Sequence, residues 1–204
     1  MPSGRVDQTL YIGPFQNIEQ MNTPTLYKPG ELGSQIQLGT KAYQLIQVDS
    51  GATAAVSAAG HVPQAGDLAF WRDKSKYLVT NNRNDAGIPA AGGGGGATNS
   101  RNFYAGVFCS VSGGASGTAS ITPGNYGVIQ QRGQHPGVLT SAATLSTGLF
   151  ICPSSSATAP DGVNIAIGSS PIGPVVGIAT AANGAVTATY TPATLGGFDT
   201  VDTP

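Results

Sequence analysis

The side chains able to do chemistry are few and lie far apart. The chain of 204 residues has two histidines, His61 and His135, and two cysteines, Cys109 and Cys152. A tetrahedral zinc site would need all four to converge, and neither histidine has an i, i+4 partner of ligand type. Each cysteine sits in an apolar β-like run, Val107-Phe108-Cys109 and Phe150-Ile151-Cys152. A reactive thiolate wants an exposed, electropositive setting, so these read as small buried hydrophobes. One pair is no disulfide framework for a chain of this size. The glycine tract Gly92–Gly96 continues into Ala97-Thr98-Asn99-Ser100. It lacks the lysine that a phosphate-cradling loop places after its last glycine, and reads as a flexible loop tip. Ser154-Ser155-Ser156 lacks the glycine-flanked elbow of a serine hydrolase. Paired acids for glycoside hydrolysis can come from distant positions, yet the ten Asp and Glu leave few candidates. The expectation is a protein that is not an enzyme, with no catalytic residues, no cofactor and no metal.

Charge points the same way. Only 9% of residues are charged and the net charge is -1, so no electrostatic footprint for nucleic acid exists. Beyond Arg101 the charges are Arg132, Asp161, Asp199 and Asp202 alone. Such a surface keeps copies apart poorly and suits a protein that lives against partners, itself included. The densest charged stretch, Arg72-Asp73-Lys74-Ser75-Lys76, reads as a solvated hairpin loop. No basic-then-apolar leader opens the chain, and no run approaches a membrane span, so folding in a cytoplasm is expected.

The elements that must position these residues are short strands. Glycine and proline, 30 and 14 residues, are scattered throughout and leave little room for helices. The runs between them predict strands at Lys41–Val48, Ala52–Ala58, Asp67–Trp71, Tyr77–Thr80, Phe103–Val111, Tyr126–Gln131, Leu149–Cys152, Val163–Ile167, Pro174–Thr180 and Ala185–Tyr190. The fold class is all-β, a barrel or sandwich. Pro123-Gly124 fits a type II turn. Asn183-Gly184 predicts a type I′ hairpin that would pair Gly177 with Tyr190. An internal echo runs through the chain. Tyr43-Gln44-Leu45-Ile46-Gln47 resembles Tyr126-Gly127-Val128-Ile129-Gln130. Gly66-Asp67-Leu68 and Gly148-Leu149-Phe150 follow at near-equal spacing, then Ala105-Gly106-Val107 and Val176-Gly177-Ile178. It predicts two similar β modules, 41–108 and 124–180, inside a β domain of 35–190. Residues 1–34 read as an extended N-terminal arm whose Tyr11, Phe15 and Tyr27 are candidate partner-binding anchors, and residues 191–204 as a C-terminal tail.

Ala65-Gly66-Asp67-Leu68, Tyr104-Ala105-Gly106-Val107-Phe108, Pro123-Gly124-Asn125-Tyr126-Gly127-Val128-Ile129-Gln130 and Gly173-Pro174-Val175-Val176-Gly177-Ile178 together resemble small β-rich structural proteins of tailed phages. They resemble head decoration, or cement, proteins most, over roughly residues 42–180. That resemblance implies a non-enzymatic virion protein, made in the host cytoplasm, which binds the outside of an assembled capsid through the major capsid protein. It also implies a symmetric homo-oligomer. The alternatives are a tail or fibre component or another carbohydrate-binding β module, marked by a shallow aromatic and carboxylate site, and a hydrolase, marked by a deep polar cleft.

Overall fold

The computed structural model describes residues 32–52, 61–82, 103–109, 117, 120–140, 146–153, 162–165, 175–182 and 189–196. Ten strands appear in chain order: β1 (Gln35–Leu38), β2 (Lys41–Val48), β3 (Leu68–Asp73), β4 (Leu78–Thr80), β5 (Tyr104–Phe108), β6 (Tyr126–Thr140), β7 (Phe150–Pro153), β8 (Gly162–Ile165), β9 (Gly177–Ala179) and β10 (Thr189–Leu195). Among the described residues the one helical turn is a 3-10 turn at Lys74–Lys76. The protein is all-β, as expected.

The pairings close on themselves twice. β2 runs parallel to β4, β4 pairs with β3, β3 with β5, β5 with β6, and β6 returns to β2 as a closed five-strand barrel. The same order recurs one step later. β6 meets β8 in parallel through Thr140 and Gly162, β8 pairs with β7, β7 with β9, β9 with β10, and β10 returns to β6. The registers agree position by position. Val48 pairs with Val79 where Thr140 pairs with Gly162. Leu68 faces Val107 where Phe150 faces Ile178. Gln130 faces Val107 where Thr194 faces Ile178. Even the turn before each third strand repeats: Asp67 N–H donates to Gln64 O at 3.0 Å, and Leu149 N–H to Ser146 O at 3.3 Å. Gly66 and Gly148 carry φ of 95° and 86° there, the left-handed site that a type II turn needs.

Strand order and register thus recur between the two circuits, but not over the modules 41–108 and 124–180 that the sequence predicts. The strands of Tyr43 and Tyr126 are not equivalents. They pair with each other, Tyr43 opposite Gln130 and Gln47 opposite Tyr126. Tyr126 instead corresponds to Tyr190, which faces Leu139 as Tyr126 faces Gln47. The division falls inside β6, which runs on to Thr140 rather than stopping at 131. The domain also reaches Leu195 rather than 190, with Thr191, Ala193 and Leu195 buried, so the expected tail begins too early.

Gly177 pairs with Leu195, not Tyr190, so the expected hairpin register is wrong by five residues. Pro192 falls where the register between β10 and β6 shifts, as a residue without an N–H must within a ladder. The turn at Asn183-Gly184, the tract Gly92–Gly96 and residues 53–58 lie outside the described residues.

Two cores result. The first barrel encloses Ile46, Val48, Ala69, Trp71, Val79, Phe108 and Ile129. The second core joins Val138, Ile151, Val176, Ala179 and Ala193 to Leu68, Phe70 and Val107 from the first barrel's β3 and β5. β3 thus buries both faces, Ala69 and Trp71 one way and Leu68 and Phe70 the other, which is why it reads as an unbroken apolar run.

β6 serves both barrels only because it bends at Gly133. There φ is 92°, and a Cβ would lie 2.8 Å from Thr40 O and 2.9 Å from the Cα of Lys41. The buried Gln130 side chain holds the bend, donating to Arg132 O and Gln134 O, both at 3.0 Å. We expect Gly133→Ala to cost about 3–4 kcal/mol in urea denaturation, from steric overlap plus left-handed strain. Gly148→Ala meets nothing within 4 Å; it should cost only roughly 1–2 kcal/mol. Equal costs would remove the crossing at Gly133 as the controlling contact.

Candidate functional site

The densest polar constellation gathers where the first barrel meets the second. The type II turn at Gln64–Asp67 points the Asp67 carboxylate inward, fully buried. Oδ2 lies 2.8 Å from His61 Nε2 and accepts from the Gln64 N–H at 2.9 Å. Oδ1 accepts from the Tyr190 hydroxyl at 3.3 Å, and the same hydroxyl reaches Gln64 Oε1 at 3.3 Å. Asn81, also fully buried, donates from Nδ2 to the His61 carbonyl at 2.9 Å. Burial pushes the Asp67 carboxyl up, against the pull of His61, and the hydrogen bond to Asp67 raises the imidazole of His61.

An Asp–His pair of this kind can orient a base, because the carboxylate fixes one ring nitrogen and stabilises the charged ring. A nucleophilic triad needs a hydroxyl or thiol on the other ring nitrogen. Among the described residues the one side-chain partner of His61 is Asp67. What the cluster does visibly is join two units. Tyr190 belongs to β10, and its ring lies between Gly66 and Gly117, where a Cβ on either glycine would strike it. The Leu139 N–H donates to Gly66 O at 2.8 Å beside it. The turn of one barrel is thereby seated on the strands of the other. The sequence reading gave His61 no partner. The available signal was Asp67 itself, a carboxylate opening the apolar run Leu68-Ala69-Phe70-Trp71.

His135 is elsewhere and does different work. Its Nδ1 accepts from the Gly137 N–H at 3.2 Å at the β6 bulge, and burial lowers its pKa to about 4. The Cys109 thiol, buried, is pushed up to about 12. Cys109 and Cys152 form no disulfide, and among the described residues no His, Cys, Asp and Glu gather as metal ligands. The charged stretch is a tight exposed turn: Asp73 Oδ1 accepts from the Ser75 N–H at 3.0 Å, and Lys76 reaches Oδ2 at 3.4 Å. Arg72 turns back to Asp49 at 3.2 Å, tying the end of β3 to the end of β2.

A second feature concerns the arm. Tyr11, Phe15 and Tyr27 lie outside the described residues, but the root of the arm is described. Leu32 packs on a patch of Leu45, Cys109 and Val128, beside Tyr43. The Gly33 N–H donates to Leu45 O at 2.9 Å, and the Leu45 N–H to Ser34 O at 3.0 Å. Tyr77, held at φ 53°, lays its ring where a Gly33 side chain would be. A non-glycine residue in this conformation carries strain, which the surrounding contacts must offset.

No protein-family model matches this chain, and no curated protein matches it. Among the described residues no helix is long and apolar enough to cross a membrane.

The junction makes two predictions. Tyr190→Phe should cost about 1 kcal/mol, and Tyr190→Ala about 3–5 kcal/mol because it also empties the space between Gly66 and Gly117; urea denaturation measures both. His61 is raised above its ordinary 6.5, so its contribution is present below that pH and lost as pH rises through the folded value. The stability gap between wild type and His61→Gln should therefore be larger at about pH 5.5 than at about pH 8. A gap independent of pH would detach the ring from Asp67.

Proposed function

We propose that this chain is a non-enzymatic structural protein of a phage virion, which binds the outside of an assembled head, contacts the major capsid protein and reinforces the shell. The observation that carries this reading is the clamped root of the arm. Leu32, Gly33 and Ser34 are fixed by an apolar patch, by two backbone bonds and by the Tyr77 ring. The preceding chain therefore leaves the barrel from one defined point. An extended segment of ~30 residues spans up to ~100 Å, enough to reach a neighbouring subunit. Ordering it costs on the order of 1 kcal/mol per residue, so a partner must bury apolar side chains in return, with Tyr11, Phe15 and Tyr27 the anchors.

The junction supports the same reading. Its one histidine–carboxylate pair bonds to the neighbouring barrel's tyrosine. The segments that carry the resemblance are also framework pieces: a glycine turn, β5, and the start of β6.

Deleting residues 1–31 should leave the unfolding midpoint within a few degrees of wild type, since Leu32–Ser34 remain, and should abolish co-sedimentation with undecorated heads. Truncated protein that coats heads with full affinity would place attachment in the loops. Full-length protein that ignores heads but binds cell-surface glycan would put the tail or fibre reading first.

A further inference from the structure

Among the described residues, the outer edge of β1 has no partner strand. From β2 to β10 each strand has a described partner on either side, β8 through the single pair Thr140–Gly162, whereas β1 pairs with β2 alone among the described residues. The alternation of the hairpin settles which groups face outward. Leu38 and Lys41 flank the two-residue turn Gly39-Thr40, and the Leu45 N–H reaches back to Ser34 O. Even-numbered residues of β1 therefore spend their backbone groups on β2, and Gln35 and Gln37 aim theirs away from the barrel. Both glutamines are exposed. Natural sheets protect an edge with a charge, a proline or a bulge. Gln35-Ile36-Gln37-Leu38 has none of these.

We propose that this edge pairs with its own counterpart in a second copy, antiparallel about a two-fold axis near Gln37, joining two first barrels into one continuous sheet. An isologous contact requires a surface complementary to itself. A short strand without charge meets that condition, because glutamine falls opposite glutamine and no like charges oppose. The chain as a whole adds little repulsion, with a net charge of -1. The pairing would also place both arm roots beside the shared sheet, since Ser34 directly precedes β1. This inference stands apart from the capsid reading, because self-pairing needs no head.

Sedimentation velocity of the full chain over a concentration series tests it. Gln37→Pro removes an outward N–H that the β2 ladder does not use, so the fold should survive. Gln37→Lys keeps every backbone group but sets like charges across the axis. Wild type should show a reversible two-copy species, and each variant should raise its dissociation constant about tenfold or more. The loss in Gln37→Lys should be partly recovered at high salt. Circular dichroism and head co-sedimentation, read alongside, separate a failed edge from a failed fold or a failed capsid reading. A wild type that stays monomeric, or an assembly of unchanged affinity in both variants, overturns the proposal.

Discussion

Everything in this architecture depends on one strand lying in two barrels. β6 gives its first half to β2 and β5 and its second half to β10 and β8. A 15-residue strand that stayed straight would lie against only one of them. The bend at Gly133 is possible because no side chain stands between β6 and the Thr40–Lys41 backbone. On either side of the bend the Arg132 and Gln134 carbonyls both accept from the buried Gln130 amide. A buried polar side chain is tolerated when its hydrogen bonds are complete, and here it also sets where the first barrel ends.

From this constraint the second core follows. Two of its inward positions are smaller than their counterparts in the first barrel, although Ile151 stands where Ala69 does. Ala179 stands in register where Phe108 does, and Ala193 where Ile129 does. A barrel filled by such residues alone would be underpacked. Leu68 and Phe70 of β3 and Val107 of β5 complete it from outside. The barrels consequently share a core rather than touching at a surface. Glycine repeats at one further contact: a Cβ at Gly106 would meet Gln130 O at 2.9 Å, and one at Gly177 would strike Thr194 O. These are equivalent positions against equivalent carbonyls, so the glycine-centred strand is a steric requirement of the frame.

How much of this was legible from residues alone varied with the range of the interaction. Local chemistry read well. Lys41–Val48 forms a strand over its expected span, the glycine turns fall where their φ demands, and the charged stretch is a solvated turn. The recurring register was visible through Gly66 and Gly148, and through Gly106 and Gly177, because those glycines answer to fixed backbone geometry. The first anchor misled because two strands paired antiparallel in one barrel carry similar patterns without being copies. The second half of β6 was hidden by Gly133, Pro136 and Gly137, which locally signal a turn; only the crossing of another strand makes them strand residues. The Asp67 site was illegible for the same reason, since its partner Tyr190 is 123 residues away in sequence.

The two halves also diverge in a way that bears on what the polar site is for. Asp67 corresponds to Leu149, and Gln64 to Ser146, in matching turns. One copy of the turn therefore presents a buried carboxylate and the other an aliphatic side chain. The difference tracks the surroundings, because the first turn is seated on β6 and β10 of the other barrel, with the Tyr190 ring wedged against Gly66. A carboxylate buried there is costly unless fully bonded, and it is met by His61, the Gln64 N–H and the Tyr190 hydroxyl. Such a set rewards one docking geometry and penalises others, whereas a leucine would tolerate sliding. The cluster thus fixes how one barrel sits on the next.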